Sequence, residues 1–277
     1  MTWSEKQQLP SPDGPSAGVT FDAPAPASGY RIYVIGSDLT ASAGAVLAYN
    51  PSAPSPAWSP VASLIGGVYN DVGATVGPGG LHVTGGYTVG SGPDPTVAVA
   101  THQIYDAAAN TWILSTPLLA PRSGHVAVTG HDGTIYAIGG HDNNDNILAS
   151  VEALHPSANQ WTNVASMNIA REALAAVTGP YGKIYAIGGE AATDTLTDTV
   201  EVYDPAANSW AIGPSGPPSL PFAREGMAAA VGPDGQIYVV GGADFAPTIY
   251  QTLYSYDPAT AGATWVKREN MPTPRAS

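Results

Sequence analysis

The chain has no cysteine, and its 9 lysines and arginines face 22 aspartates and glutamates. The first absence rules out disulfides, thiolate nucleophiles and cysteine-ligated metals. The formal charge of −13 argues against nucleic acid and anionic membrane surfaces as partners, because long-range repulsion opposes both. No apolar run approaches the ~20 residues needed to cross a bilayer. The opening MTWSEKQQLP has no signal-peptide core, so neither a membrane span nor a leader is expected. A chain without cysteine suits either side of a membrane, which leaves the compartment open.

Turn-forming residues are plentiful, with 32 glycines and 26 prolines, and they punctuate many short apolar runs. The stretch from Arg171 to Trp210 shows the plan. Three runs read as strands, Ala173 to Val177, Lys183 to Ile187 and Thr199 to Tyr203, and a fourth opens at Trp210. Gly179-Pro180-Tyr181-Gly182 forms the first turn, Gly188-Gly189 closes the second strand and Tyr203-Asp204-Pro205 closes the third. One four-stranded unit cannot bury both of its faces, so neighbours of the same kind are required.

Those neighbours recur along the chain at a period of roughly 50 residues. The second-strand ending returns as Ile35-Gly36-Ser37, Gly85-Gly86, Gly139-Gly140 and Gly241-Gly242. The third returns as Tyr49-Asn50-Pro51, Tyr105-Asp106, Leu154-His155-Pro156 and Tyr256-Asp257-Pro258, with Trp58, Trp112, Trp161, Trp210 and Trp265 each following. Double glycine, Tyr-Asp and a spaced tryptophan together resemble the kelch repeat over nearly the entire chain. The resemblance implies an all-β fold, a β-propeller of four-stranded antiparallel blades. The glycine pairs are expected to leave room for bulky side chains, with the tyrosines and tryptophans as the natural fillers.

The whole chain, 1–277, reads as a single propeller domain, with blades at 15–67, 68–121, 122–170, 171–223 and 224–274 and an N-terminal outer strand of an incomplete blade at 1–14. Trp3 fits that outer strand, and Met271-Pro272-Thr273-Pro274-Arg275 repeats the lead-in to a further unit. The expected ring therefore has five complete blades plus parts of a sixth, with a five-bladed ring as the alternative. An unfinished blade would expose a strand edge and invite self-association.

Antiparallel alternation puts the lead-in to each first strand and the loop between second and third strands on one face, around the mouth of the central channel. On that face Arg122, Arg171, Arg224 and Arg275 share one repeat position, whereas the first two units carry Ser16 and Val68 there. The arginines could grip an anionic group, or they could tie down backbone carbonyls or a carboxylate of the next blade. Glu172 and Glu225 directly follow two of them. Asp38, Asp94, Asp142, Asp145, Glu190, Asp194, Asp198 and Asp244 make an acidic rim suited to a small polar or partly cationic ligand such as a sugar, or to a protein partner. His141 and His125 could reach the mouth.

Asp142, Asn144 and Asn146 keep the alternate spacing of a calcium loop, but Ile147 replaces its glycine and Ala153 falls at position twelve. Calcium is thus the one metal the pattern raises, against an ordinary polar turn. Without cysteine, the copper-radical oxidase chemistry known among kelch propellers is excluded, and no other cofactor is indicated. The expected function is ligand or protein binding through Arg122, Arg171, Glu172, Arg224, Glu225, His141 and Glu190. The alternative is a cofactor-free carbohydrate enzyme similar to sialic-acid mutarotases, in which Glu172 or Glu225 moves protons. No acid-base pair stands out from the repeat, which favours binding over catalysis.

Overall fold

The computed structural model describes residues 17–23, 29–36, 44–67, 70–89, 96–192, 195–213, 216–246 and 248–276. Trp3 and the rest of the expected N-terminal strand lie outside them, as do Ser16, Val68, Asp38, Asp94 and Asp194. The described strands form five four-stranded antiparallel sheets arranged as propeller blades. The first holds β1 (Ala17–Ala23), β2 (Gly29–Ile35), β3 (Val46–Tyr49) and β4 (Trp58–Val61). The second holds β5 (Gly73–Gly77), β6 (Gly80–Thr84), β9 (His102–Asp106) and β10 (Thr111–Leu114), with the loop hairpin β7 (Tyr87–Val89) and β8 (Thr96–Ala98) between its middle strands. The third runs through β11 (Val126–Thr129), β12 (Ile135–Ile138), β13 (Val151–Leu154) and β14 (Thr162–Val164). The fourth holds β15 (Ala175–Thr178), β16 (Ile184–Ile187), β19 (Val200–Asp204) and β20 (Ser209–Ala211), with its own loop hairpin β17 (Glu190–Ala192) and β18 (Thr195–Leu196). The fifth comprises β21 (Glu225–Val231), β22 (Ile237–Ala243), β23 (Leu253–Tyr256) and β24 (Val266–Lys267).

Each blade follows the expected meander, and the apolar cores lie between blades. One core joins Tyr33, Ile35 and Val46 of the first sheet to Leu81, Val83, Tyr105 and Trp112 of the second. Others bridge the third to the fourth and the fourth to the fifth. The aromatic residues of the repeat do this bridging. Tyr105 stacks on Trp112 within its blade and meets Tyr33 of the previous one edge-on at 5.6 Å. Four of the tryptophans then donate their indole N–H backwards, Trp112 to Ala62 O at 2.7 Å, Trp161 to Thr116 O at 3.0 Å, Trp210 to Ala165 O at 2.8 Å and Trp265 to Pro218 O at 2.9 Å.

The glycine pairs serve a different purpose from the one expected. The space beside them is filled by backbone, of the following blade at the first glycine and of the same blade at the second, instead of by tyrosine or tryptophan. A Cβ on Gly139 would stand 2.4 Å from Arg171 O of the following blade, and one on Gly189 2.4 Å from Glu172 O of its own, contacts no side-chain-bearing residue can make. The second glycine of each pair donates its N–H to the carbonyl of the next arginine of the repeat: Gly86 to Arg122, Gly140 to Arg171 and Gly189 to Arg224 in the following blade, and Gly242 to Arg275 in the segment after the fifth. His125, Leu174 and Met227 fill what space is left.

The innermost strands β1, β5, β11, β15 and β21 stand side by side around a channel. The residue of the second strand opposite the repeat's tyrosine reports how well each blade is covered by the one before it. Leu81, Ile184 and Ile237 are 0% exposed at this position, whereas Ile32, paired with Tyr49, is 37% exposed. Truncation should follow that difference. Ile184→Ala is expected to cost about 2–5 kcal/mol in urea unfolding, and Ile32→Ala no more than about 1 kcal/mol. Equal losses at the two sites would show that the first blade is covered as fully as the fourth.

Candidate functional site

The channel has a volume of about 650 Å³, and its walls come from Ala17–Thr20 and the matching segments of the other four blades. The deeper wall is small and apolar or hydroxylated, with Ala74, Thr75, Val76, Val128, Thr129, Val177 and Thr178. At the mouth, a chain of backbone hydrogen bonds runs from blade to blade. Gly124 N donates to Asp71 O, Ala173 N to Gly124 O and Gly226 N to Ala173 O, at 2.9–3.0 Å. All four residues are left-handed, with φ of 53° at Asp71, 62° at Gly124, 47° at Ala173 and 58° at Gly226. Asp71 and Ala173 hold that conformation without glycine's freedom, a strain that only a surrounding structure can enforce.

Just outside this belt, two residues of the same blade face one another in short antiparallel bridges. Ser123 bridges His141 and Glu172 bridges Glu190. Tyr87 N donates to Asn70 O in the same position of the second blade. The residue after the glycine pair in the second to fourth blades (Tyr87, His141, Glu190) and the residue after the arginine in the third to fifth (Ser123, Glu172, Glu225) therefore lie beside the mouth. Four of the sequence candidates, His141, Glu172, Glu190 and Glu225, are brought together here.

His141 joins three blades. Its Nδ1 hydrogen-bonds the Glu172 carboxylate of the fourth blade, and its Nε2 meets both the Tyr87 hydroxyl of the second and Ser123 Oγ at 3.0 Å. The hydrogen bond to Glu172 raises the imidazole pKa above its ordinary 6.5 against the opposing effect of burial, with Asp71 and Asp145 adding to the rise. Burial raises the Asp71 carboxyl, which His141 partly offsets and Glu172 reinforces. Glu225 is also raised, first by burial and then by the like charges of Glu190 and Glu172. Among the described residues, no lysine or arginine lines the channel.

The arginines lie elsewhere. Arg122, Arg171 and Arg224 are at most 1% exposed, each turned into its own blade. Arg171 Nη1 donates to Gly188 O and Thr199 O, while its Nη2 meets Glu201 Oε1 at 2.7 Å. Arg122 repeats the pattern with Gly139 O, Ser150 O and Glu152. The glutamates complete the tie by accepting backbone N–H groups of the lead-in, Leu119 and Ala120 for Glu152, Asn168 and Ile169 for Glu201. Arg224 has Tyr254 where the others have glutamate; it bonds Gly241 O and Thr252 Oγ1 and lies 4.4 Å under the Tyr250 ring. Sequence reasoning had these carbonyls and carboxylates in the next blade; they belong to the arginine's own.

Of the remaining candidates, His125 is buried at the glycine seam with Nε2 on Thr84 Oγ1, and its imidazole is held well below the ordinary value by burial and by Arg122. Asp142, Asn144 and Asn146 form an exposed loop in which Asp142 accepts the N–H groups of both asparagines and the Asn146 amide. Among the described residues, no group of three or more His, Cys, Asp or Glu side chains is placed to share a metal ion. Tyr87, Ser123 and Asp71 were missed, because nothing in their residue type repeats. Their signal was position: each occupies a slot filled by a mouth residue in the neighbouring blades.

These features define a propeller with a kelch-type repeat. A family model described as the KLHDC2/KLHL20/DRC7 Kelch-repeats domain matches residues 73–277, and the chain belongs to the kelch-repeat family. Among solved structures, one titled "Structure of YjhT" superposes with a TM-score of 0.76 over 97% of this chain and 88% of that one, at 18% sequence identity, a likeness of fold alone. No curated protein matches the sequence.

Removing one partner of a buried ion pair strands the other charge. Arg171→Ala is expected to destabilise the protein by about 3–5 kcal/mol, while the double replacement Arg171→Met with Glu201→Leu costs much less than the sum of the single changes. A double-mutant cycle in denaturant reads the coupling, and additive losses would show the pair to be inert.

Proposed function

We propose that the protein is a binding propeller whose recognition surface is the channel mouth, and that its ligand is a small polar molecule bearing hydroxyl or cationic groups. One observation carries this reading: Asp71 and Glu172 line the channel with Glu225 close enough to feel the charge of Glu172, no lysine or arginine lines it among the described residues, and Arg122, Arg171 and Arg224 are committed inside the blades. Such a field repels anions and concentrates cations. The small, hydroxylated wall below it suits a slender or ring-shaped group. The same rim would be the surface for a protein partner, and self-association would draw on exposed apolar side chains such as Tyr30 and Ile32 of the first blade.

A cofactor-free carbohydrate enzyme similar to sialic-acid mutarotases is favoured by a different observation, the pKa of Glu225 raised by burial and by the charges of Glu190 and Glu172, which favours the protonated carboxyl that a proton donor needs. The committed arginines weigh against an acidic sugar as its substrate.

Calorimetry with glucose, glucosamine and glucuronate as neutral, cationic and anionic probes separates these readings. Glucosamine is expected to bind best and glucuronate worst, and Glu225→Gln to weaken glucosamine by about tenfold, the loss of one charge-assisted hydrogen bond. Glucosamine affinity should fall as pH drops through the raised values of Asp71 and Glu225, since protonation removes the attracting charge. Preference for glucuronate would overturn the binding reading and return the arginines to the site.

A further inference from the structure

We propose that Tyr87 is the acting group of a proton relay, Tyr87 to His141 to Glu172, that takes a proton from a hydroxyl of the ligand at the channel mouth. This rests on the reading that a ligand sits there. Three blades contribute one member each, so the relay exists only when the ring is assembled. The Glu172 carboxylate accepts the Nδ1–H of His141, which fixes the tautomer and leaves the Nε2 lone pair facing the Tyr87 hydroxyl. The Tyr87 and His141 rings are tilted by 49° with centroids 5.6 Å apart, so the phenol lies at the imidazole edge, where that lone pair points.

Ser123, His141 and Glu172 alone have the order of a nucleophile, base and orienting acid, but acyl transfer does not fit. Ser123 is fully buried, and the N–H groups that could stabilise an oxyanion are spent: Ser123 N on His141 O and Gly124 N on Asp71 O. Tyr87 is only partly buried and is the outlet. In the forward step a ligand hydroxyl gives its proton to Tyr87 Oη while the phenolic proton moves to His141 Nε2. The ligand is left as an alkoxide, and the new imidazolium is held by Glu172 with its Nε2–H within reach of Ser123 Oγ. The reverse step restores every proton.

A free phenolate is not the working species. Burial, Asp71, Glu172 and Asp145 raise the Tyr87 pKa, with a partial offset from Ser123, so the phenol loses its proton only as His141 accepts it. The charged or titratable groups acting on His141 are Glu172, Asp71 and Asp145, and His125 lies close enough to feel its charge. The carboxylates all favour the imidazolium. The relay is therefore off while His141 is protonated and switches on as pH rises through the raised His141 value.

Phenylmethanesulfonyl fluoride tests this without a known substrate. Its reaction forms a bond from Tyr87 Oη to sulfur, expels fluoride and passes the phenolic proton to His141. With the full chain and peptide mapping by mass spectrometry, Tyr87 is expected to be sulfonylated about a hundredfold faster than Tyr181, which is 77% exposed and serves as the internal standard. The rate should rise along the His141 titration. His141→Gln should bring Tyr87 to the Tyr181 rate, and Glu172→Gln should lower both the midpoint and the plateau. Thermal melts confirm that each variant is folded, and the Glu172 variant decides if the His141 one is not. Tyr87 reacting no faster than Tyr181, or unaffected by either change, overturns the relay. Calorimetry on the same samples keeps the two readings apart: sugar binding without enhanced labelling sinks only the relay, and enhanced labelling without sugar binding sinks only the ligand reading.

Discussion

Blade-to-blade attachment from the second blade to the fifth rests on one repeated hydrogen bond, from the N–H of a second glycine to the carbonyl of the arginine that opens the following blade. That bond needs two backbones closer than any Cβ permits, which is why glycine occupies the end of the second strand. The carbonyl must also be held still. The guanidinium does this by binding its own blade's carbonyls and glutamate, while the glutamate takes up the N–H groups of the lead-in. Charge is therefore buried where it fixes backbone geometry. Such pairs contribute little net stability relative to apolar packing, yet breaking one is costly, so they act as locators more than as glue.

The same clasp determines the site. By bringing each lead-in against the previous glycine pair, it sets the residue after the arginine beside the residue after the glycines and around the channel. The repeat fixes no residue type at those slots, so they differ from blade to blade: Ser123 with His141, Glu172 with Glu190, Asn70 with Tyr87. Function in a repeat protein collects where the repeat leaves the residue type unspecified. The strained φ of Asp71 and Ala173 fits this division, since the belt of backbone bonds fixes the chain there whatever residue it carries.

This division also explains what could be read in the sequence. Gly139-Gly140, Tyr203-Asp204 and Trp210 announce the fold because they repeat, and the strands, the blade order and the face bearing the site all follow from them. Even the Leu154-His155 departure is harmless: His155 Nδ1 accepts Ser157 N–H, as Asp204 Oδ1 accepts that of Ala206. The arginines were harder, because a residue recurring in register and lying near a mouth satisfies both a structural and a binding pattern. Burial separates the two, and burial depends on which way the side chain turns at a strand start. Tyr87 was hidden for the opposite reason. It lies at the head of a glycine- and proline-rich loop, and only the hydrogen bond to Asn70 shows that it shares a slot with His141 and Glu190.

The chemistry of the mouth follows from how far its groups lie from one another along the chain. Tyr87 and His141 are 54 residues apart and His141 and Glu172 31, so no local segment can assemble the three. The belt holds their backbones at fixed spacing, and the hydrogen bond to Glu172 raises the His141 pKa. Placing a carboxylate, an imidazole and a phenol on three rigid blades spends little entropy when a ligand arrives. The low overall content of charged residues has the same origin: in a ring of packed sheets, charge is retained at the seams, where it locates backbone, and at the mouth of the channel.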